Sequence, residues 1–231
     1  MNNKQTKIEN AASIIVVRYD NKYPMVLMGK RNANSSFMPD KYVFPGGKVD
    51  LDDLKINLAN EINVTCRAKL DYASNPKLVN ALCAASIREL FEETGHILGT
   101  KGKWDETAPD NWREFLKSGY RPDAAGLRFI FRAVTPPEYK RRFDTRFFLV
   151  NAKWLVTDLS YFSTLSEELV DLQWIRLDRA TDLNMPFITQ LVLNEVENIL
   201  IGNNNNTQIP YFKNDDENLE YNKNGNHRKN R

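Results

Sequence analysis

The sequence predicts an α/β fold, and three observations carry that expectation. Ala11–Arg18 and Tyr23–Lys30 are apolar, β-branched runs separated by Asp20-Asn21, the pattern of a strand pair. Apolar residues then recur at helical spacing, first as Leu54, Leu58 and Ile62, then as Val79, Cys83, Ile87 and Leu90. Beyond them strand-like and helix-like stretches interleave as far as residue 201.

Taken in order, the hairpin is followed by a loop-like segment, Asn32–Tyr42, and a short extended run, Val43–Gly47, ending in two glycines that permit close backbone approach. One amphipathic helix is expected over Asp53–Leu70, ending near Asp71. A second is expected to start at Asn75-Pro76, which suit an N-cap and a first-turn proline, and to stop at Gly95. A short helix is read around Asn111–Lys117, and a strand over Leu127–Val134 that Pro136-Pro137 breaks. Phe147–Val150 with Trp154–Val156 reads as one strand, Leu169–Leu177 as another, and Ile188–Ile201, introduced by Pro186, as a terminal helix. After Gly202 the composition turns to asparagine and charge, which reads as a partly disordered tail.

Composition excludes several classes of function. In 231 residues, 32 basic side chains nearly balance 30 acidic ones, so no general field favours nucleic acid or membrane surfaces. The cysteines are Cys66 and Cys83 and the histidines His96 and His227, too few for a disulfide framework or a Cys/His metal site. Any bound metal would be held by oxygen. Met1–Asn10 is polar and no apolar stretch approaches a membrane span, so a cytoplasmic, reducing location is the expectation.

The chemistry concentrates in Arg88-Glu89-Leu90-Phe91-Glu92-Glu93-Thr94-Gly95. On a helix Glu89, Glu92 and Glu93 stand at i, i+3 and i+4, so three carboxylates share a face. Such a face suits Mg²⁺ or Mn²⁺, which prefer oxygen ligands and complete their shells with water and phosphate. Taken alone it reads more readily as a solvated surface bearing an Arg88–Glu92 pair.

These residues resemble the Nudix family, whose box reads G-x5-E-x7-R-E-U-x-E-E-x-G-U with U aliphatic. Arg88–Gly95 matches the second half. Val43–Asp53 looks like the first half, with Gly47 as the box glycine and Asp53 in place of the first glutamate. Between them lie 34 residues, Leu54–Ile87, where the family has seven, so the box carries 27 extra. That interruption is similar to the coenzyme A diphosphatase-like branch called Nudix motif 19. Phe37-Met38-Pro39 and Arg141–Phe148 resemble segments of the same branch, and Glu168 with Trp174 six residues later looks like the family's late strand. A neighbouring branch's coenzyme A signature is met at Leu27, Arg31 and Phe44–Gly47, while Ser36 and Asp40 depart from it. His96 stands where the box has an aliphatic residue, and packing or satisfying helix-terminal carbonyls suits it better than metal ligation.

The resemblance implies a Nudix α/β/α sandwich: a mixed sheet between the box helix and the terminal helix, with the insertion, about 54–80, as an extra helix. One domain, 11–201, is expected between an N-terminal extension, 1–10, and a tail, 202–231. It implies hydrolysis of the diphosphate of a nucleoside diphosphate derivative, coenzyme A or acyl-coenzyme A first among substrates. Glu89, Glu92, Glu93 and the Gly47 carbonyl would hold Mg²⁺ or Mn²⁺, Arg88 would orient the carboxylates, and a box glutamate or Glu168 would be the base. Arg31, Phe44, Gly46 and Arg142 are the candidate substrate contacts, although Arg142 equally suits a solvated edge. The alternative is a catalytically weak module that senses a nucleotide or binds RNA. The oligomeric state stays open, a homodimer included.

Overall fold

The computed structural model describes residues 7–73, 75, 78–104, 108–163, 165–202, 208–215 and 218–222. Strands β1 (Ile8–Asp20) and β2 (Tyr23–Arg31) form the expected hairpin, turning through Asn21 and Lys22 at φ 45° and 77°. Ile8–Asn10 pair with residues 142–144, so they belong to the sheet rather than to an N-terminal extension. Next come β3 (Tyr42–Val43) and β4 (Gly46–Lys48), the latter antiparallel to β1.

The insertion departs from expectation. Instead of one helix over Asp53–Leu70 there is a single 3₁₀ turn, Asp53–Lys55, an irregular segment, 56–63, and then α1 (Val64–Ala73). Tertiary hydrogen bonds outcompete the helix here. Ala59 N–H donates to the Pro122 carbonyl at 2.8 Å, Ala124 N–H to the Asn60 carbonyl at 2.9 Å, and the Asn60 side chain to Asp123 at 2.7 Å. Helix resumes where the Asn63 side chain accepts the Cys66 N–H at 3.0 Å, a capping contact. Ile56, Ile62, Cys66 and Leu70 nevertheless all reach the core, so the extra helix does pack beside the box helix.

The box helix α2 (Val79–Thr94) starts later than Asn75, and Pro76 lies outside the described residues. It ends as expected at Gly95, whose φ of 75° and N–H to the Phe91 carbonyl make a left-handed cap. β5 (Gly99–Lys101) and β6 (Tyr120–Pro122) form a small ribbon enclosing a 3₁₀ turn, Asp110–Trp112, and α3 (Arg113–Lys117). β7 (Arg128–Val134) follows, then β8 (Arg142–Asn151), which is longer than Phe147–Val150. Trp154–Val156 does not extend β8. Ala152–Trp154 is a 3₁₀ turn and Leu155 bridges to Leu98. β9 (Leu169–Arg176), α4 (Leu177–Ala180) and α5 (Phe187–Leu200), capped by Pro186, follow.

The segment read as a tail is partly structured: β10 (Tyr211–Asp215) and β11 (Asn218–Asn222) extend the sheet, and β10 pairs with β7 in parallel. The main sheet runs β11-β10-β7-β8-β1-β2-β3, with β4 on β1 and β9 on β2. It is mixed, since β1–β8 and β7–β10 are parallel and its other described pairings antiparallel. Alternation sorts its side chains. Ile14, Val16, Leu27, Phe148 and Val150 pack in the cluster with α1 and α2, while Ile15, Val17, Val26, Met28 and Leu149 pack with Val192, Leu193 and Val196 of α5. The result is an α/β/α sandwich. Among the described residues no helix is long and apolar enough to cross a membrane.

Candidate active site

The two halves of the interrupted box meet in space. Pairing with Ala11–Ser13 of β1 lays β4 beside α2, where the Gly46 N–H donates to Glu93 Oε2 at 2.9 Å. A side chain on Gly47 would fall on the Glu89 carboxylate, and one on Gly46 would come within 2.6 Å of the Ala12 carbonyl oxygen. Both glycines are therefore demanded by close approach.

Arg88, buried with Asp53, ties the halves together. Its Nε and Nη2 donate to Asp53 Oδ1 and Oδ2, each at 3.0 Å, and Nη2 also reaches the Lys48 carbonyl at 3.1 Å. Its Nη1 donates to Glu89 Oε1 and Glu92 Oε2, both at 2.9 Å. Asp53 is fixed in turn by the Trp112 Nε1–H at 3.0 Å and the Asp50 N–H at 2.8 Å. Substituting aspartate for the first box glutamate thus still yields a paired-fork ion pair, the geometry that suits guanidinium.

Burial raises the Glu89 carboxyl to about 7 against the pull of Arg88, and raises Glu92 as well. It pushes Glu93 well above the usual carboxylate range, with Glu89 adding to the effect and the Gly46 N–H opposing it. For Arg88, burial disfavours the charge, but Asp53, Glu89 and Glu92 outweigh it and hold the guanidinium protonated. The site therefore carries more carboxylate than Arg88 balances, and Glu93 Oε1 is buried with no hydrogen-bond partner. That donor set fits a hard divalent cation. As the side chains stand, no three acidic, imidazole or thiol groups among the described residues converge to hold one. Glu89 and Glu92 each lend an oxygen to Arg88 instead.

A cavity of about 440 Å³ opens over this cluster. Gly46, Gly47, Arg88, Glu89 and Glu92 line one part of it, and Arg31, Phe44 and Glu168 reach it from elsewhere. Glu93 sits behind the glycine turn, buried. Arg31 donates to Ser35 at 2.9 Å. Arg142 is not brought to the cavity: its Nε donates to the Thr135 carbonyl at 3.0 Å and the residue is buried. Arg141 lines the cavity instead, because consecutive residues entering a strand face opposite ways. His96 packs, as expected, with Nδ1 3.1 Å from Thr157 Oγ1 and its ring against Phe162.

Three contributors went unread in the sequence. Trp112 is fully buried, and its indole N–H holds Asp53. Asp50, whose N–H also caps Asp53, lines the cavity, and so does Phe212, from the segment read as tail. An aromatic within a polar stretch was the available signal for Phe212.

No family model matches the chain. It is 30% identical over 185 residues to a protein of Caenorhabditis elegans described as putative nudix hydrolase 7. The match takes in 75% of this chain and 53% of that one, so the chain spans about half the length of that relative. Among solved structures, a Nudix hydrolase from Alicyclobacillus acidocaldarius superposes with a TM-score of 0.63 at 28% identity, covering 82% of this chain and 90% of its own. The Nudix domain of Shewanella oneidensis NrtR, complexed with ADP ribose, gives 0.49 at 12% identity over 87% and 94%. With the glycine turn, the Asp53–Arg88 pair and the box helix assembled in one sandwich, the chain is similar to Nudix hydrolases in both sequence and fold.

Proposed function

We propose that this protein is a Mg²⁺- or Mn²⁺-dependent hydrolase that cleaves the diphosphate linkage of a nucleoside diphosphate derivative, with coenzyme A or an acyl-coenzyme A as leading substrates. The observation that carries this reading is the contact of Gly46 and Gly47 with Glu93 and Glu89, more than 40 residues away in sequence. A fold with no need of these carboxylates has no reason to bury them together, because each buried charge costs several kcal/mol unless it is compensated, on the order given for ions in protein interiors.

Glu89, Glu92 and Glu93, with the Gly47 carbonyl, are the groups that would hold the cation. When bound, it supplies charge neutralisation at the phosphate oxygens and a more acidic water. Arg88 holds Glu89 and Glu92 against Asp53, so the acidic face is oriented before substrate arrives. Arg31, Phe44 and Gly46 are the proposed substrate contacts on the cavity wall. A base takes the proton from the attacking water, and its candidates are a box glutamate and Glu168, which enters the cavity beside β9. The coenzyme A assignment draws on the Arg31 and Phe44–Gly47 pattern and on the interrupted box. The buried free thiols of Cys66 and Cys83 support a cytoplasmic, reducing setting.

The test is incubation with Mg²⁺ or Mn²⁺ and coenzyme A, ADP-ribose, dinucleotides and nucleoside triphosphates, with products separated by chromatography. Cleavage at a diphosphate, lost in Glu92→Gln and Glu93→Gln, is expected. Binding without turnover would favour the sensor alternative.

A further inference from the structure

The floor of the cavity is a single row of residues in strict register across five strands. Lys48 of β4 pairs with Ala11 of β1, Ala11 with Thr145 of β8, Thr145 with Ala133 of β7, and Ala133 with Phe212 of β10. All five line the same cavity. Residues directly opposite one another on neighbouring strands face the same way, so the row is a continuous strip on one sheet face. Four strand-to-strand steps span roughly 19 Å at the usual spacing. The strip starts at Lys48, one residue past the glycine that meets Glu89 and on the α5 side of the sheet, and ends at Phe212, with the cavity joining it to the box carboxylates round the β4 edge.

Its side chains make it a trough. Ala11, Thr145 and Ala133 are small and leave room above the middle, whereas Phe212, buried and edge-on to Phe187 at 6.0 Å between ring centres, closes the far end. Phe37, Phe143 and Ile188 add apolar wall. Two nearby hydroxyls are already engaged, while Thr145 in the strip and Thr189 beside it bring theirs to the cavity. Ser13 donates to the Pro45 carbonyl at 3.0 Å, and Thr135 accepts the Phe143 N–H at 3.0 Å. At the Phe212 end the wall is apolar, so a polar ring system there would leave its donors and acceptors poorly matched, whereas the aliphatic end of a thioester chain would not, and the amides of its pantetheine arm would lie nearer Thr145.

We infer that the strand carrying Phe212 completes an elongated subsite for the moiety beyond the diphosphate, that this moiety is long and apolar at its far end, and that Phe212 sets the length accepted. This rests on the diphosphate being held at the glycine turn, as proposed above. The residues involved come from both ends of the chain, and the C-terminal segment thereby becomes part of substrate selection.

The full chain carrying Ala133→Phe, which blocks the middle of the trough, and Phe212→Ala, which lengthens it, tests the inference. With Mg²⁺, kcat/KM is measured for ADP-ribose, short and polar beyond its diphosphate, and for coenzyme A esters of increasing acyl length. Ala133→Phe should lower the octanoyl-coenzyme A to ADP-ribose ratio at least tenfold, through KM, and Phe212→Ala should move the preferred acyl length upward. Equal losses on both substrates, or an unchanged ratio, overturn the inference. Ala133→Leu makes a milder block should the phenylalanine variant not fold. Calorimetric binding of the same compounds in EDTA reads the ratio without turnover, so a protein that hydrolyses neither loses the hydrolase reading while this inference is decided by binding alone. Failure of the wild type to bind octanoyl-coenzyme A more tightly than ADP-ribose also overturns it.

Discussion

The box helix and the segment 54–78 that precedes it both bury apolar residues in one cluster, yet they fold by different rules. In α2 the apolar stripe, the carboxylate spacing and the Gly95 cap all specify the same helix. In the insertion the helical spacing of Leu54, Leu58 and Ile62 is real, but the backbone bonds to the 122–124 loop instead, and Leu54 is left 49% exposed. Agreement among local signals makes a segment legible. Where they disagree, tertiary partners decide.

Substitutions can break or sharpen that contrast. The largest effect is expected from Asp53→Ala, which strands buried Arg88 at the junction of the two regions. A loss of about 3–5 kcal/mol follows from unpairing a buried ion pair, measured by urea denaturation, and Asp53→Glu should recover part of it. Within α2, Glu93→Gln should leave folding intact or improve it, since it removes a buried carboxyl, while kcat falls on the order of 10²–10³ in the metal-dependent assay. Within the insertion, Leu70→Ala opens a void under α2 and should cost about 2–4 kcal/mol, read as a lowered Tm.

A smaller effect is expected just past the helix, at His96, whose imidazole burial pushes down to about 4 from an ordinary value of 6.5. The folded pKa lies below the unfolded one, so the neutral ring's contribution is intact above pH 6.5 and is lost as pH falls towards 4. On the order of 3 kcal/mol should disappear across that window, and His96→Leu should flatten this part of the stability–pH curve. Leu54→Ala is expected to change stability by less than about 0.5 kcal/mol, since the side chain is half exposed. A loss above about 2 kcal/mol there would mean that the periodicity, rather than the tertiary hydrogen bonds, describes the insertion.

Much of the fold and most of the cluster were legible in the sequence, for identifiable reasons. Glu89, Glu92 and Glu93 sit at helical spacing beside a C-cap glycine, and Gly46-Gly47 leave only a few backbone uses. Strands β1, β2, β7 and β9 announce themselves by β-branched and aromatic content between turns. β10 did not, because its asparagine- and charge-rich surroundings suggest solvation and it is pairing with β7 on one side and β11 on the other that makes Tyr211–Lys213 a strand. Arg141 and Arg142 could not be told apart without the phase of β8. Trp112 carries no sequence signal for its role, because an indole's donor is visible only once Asp53 stands before it.

The Asp53–Arg88 contact also has a kinetic meaning. It closes a loop of 34 residues where an uninterrupted box closes seven, which costs about 1.4 kcal/mol more in chain entropy. Contacts of Ile62, Cys66 and Leu70 with the core must offset that before the acidic face is oriented. On this account the acidic face would be oriented late in folding rather than with the helix that carries it, and mild urea should release the insertion while the sheet still stands.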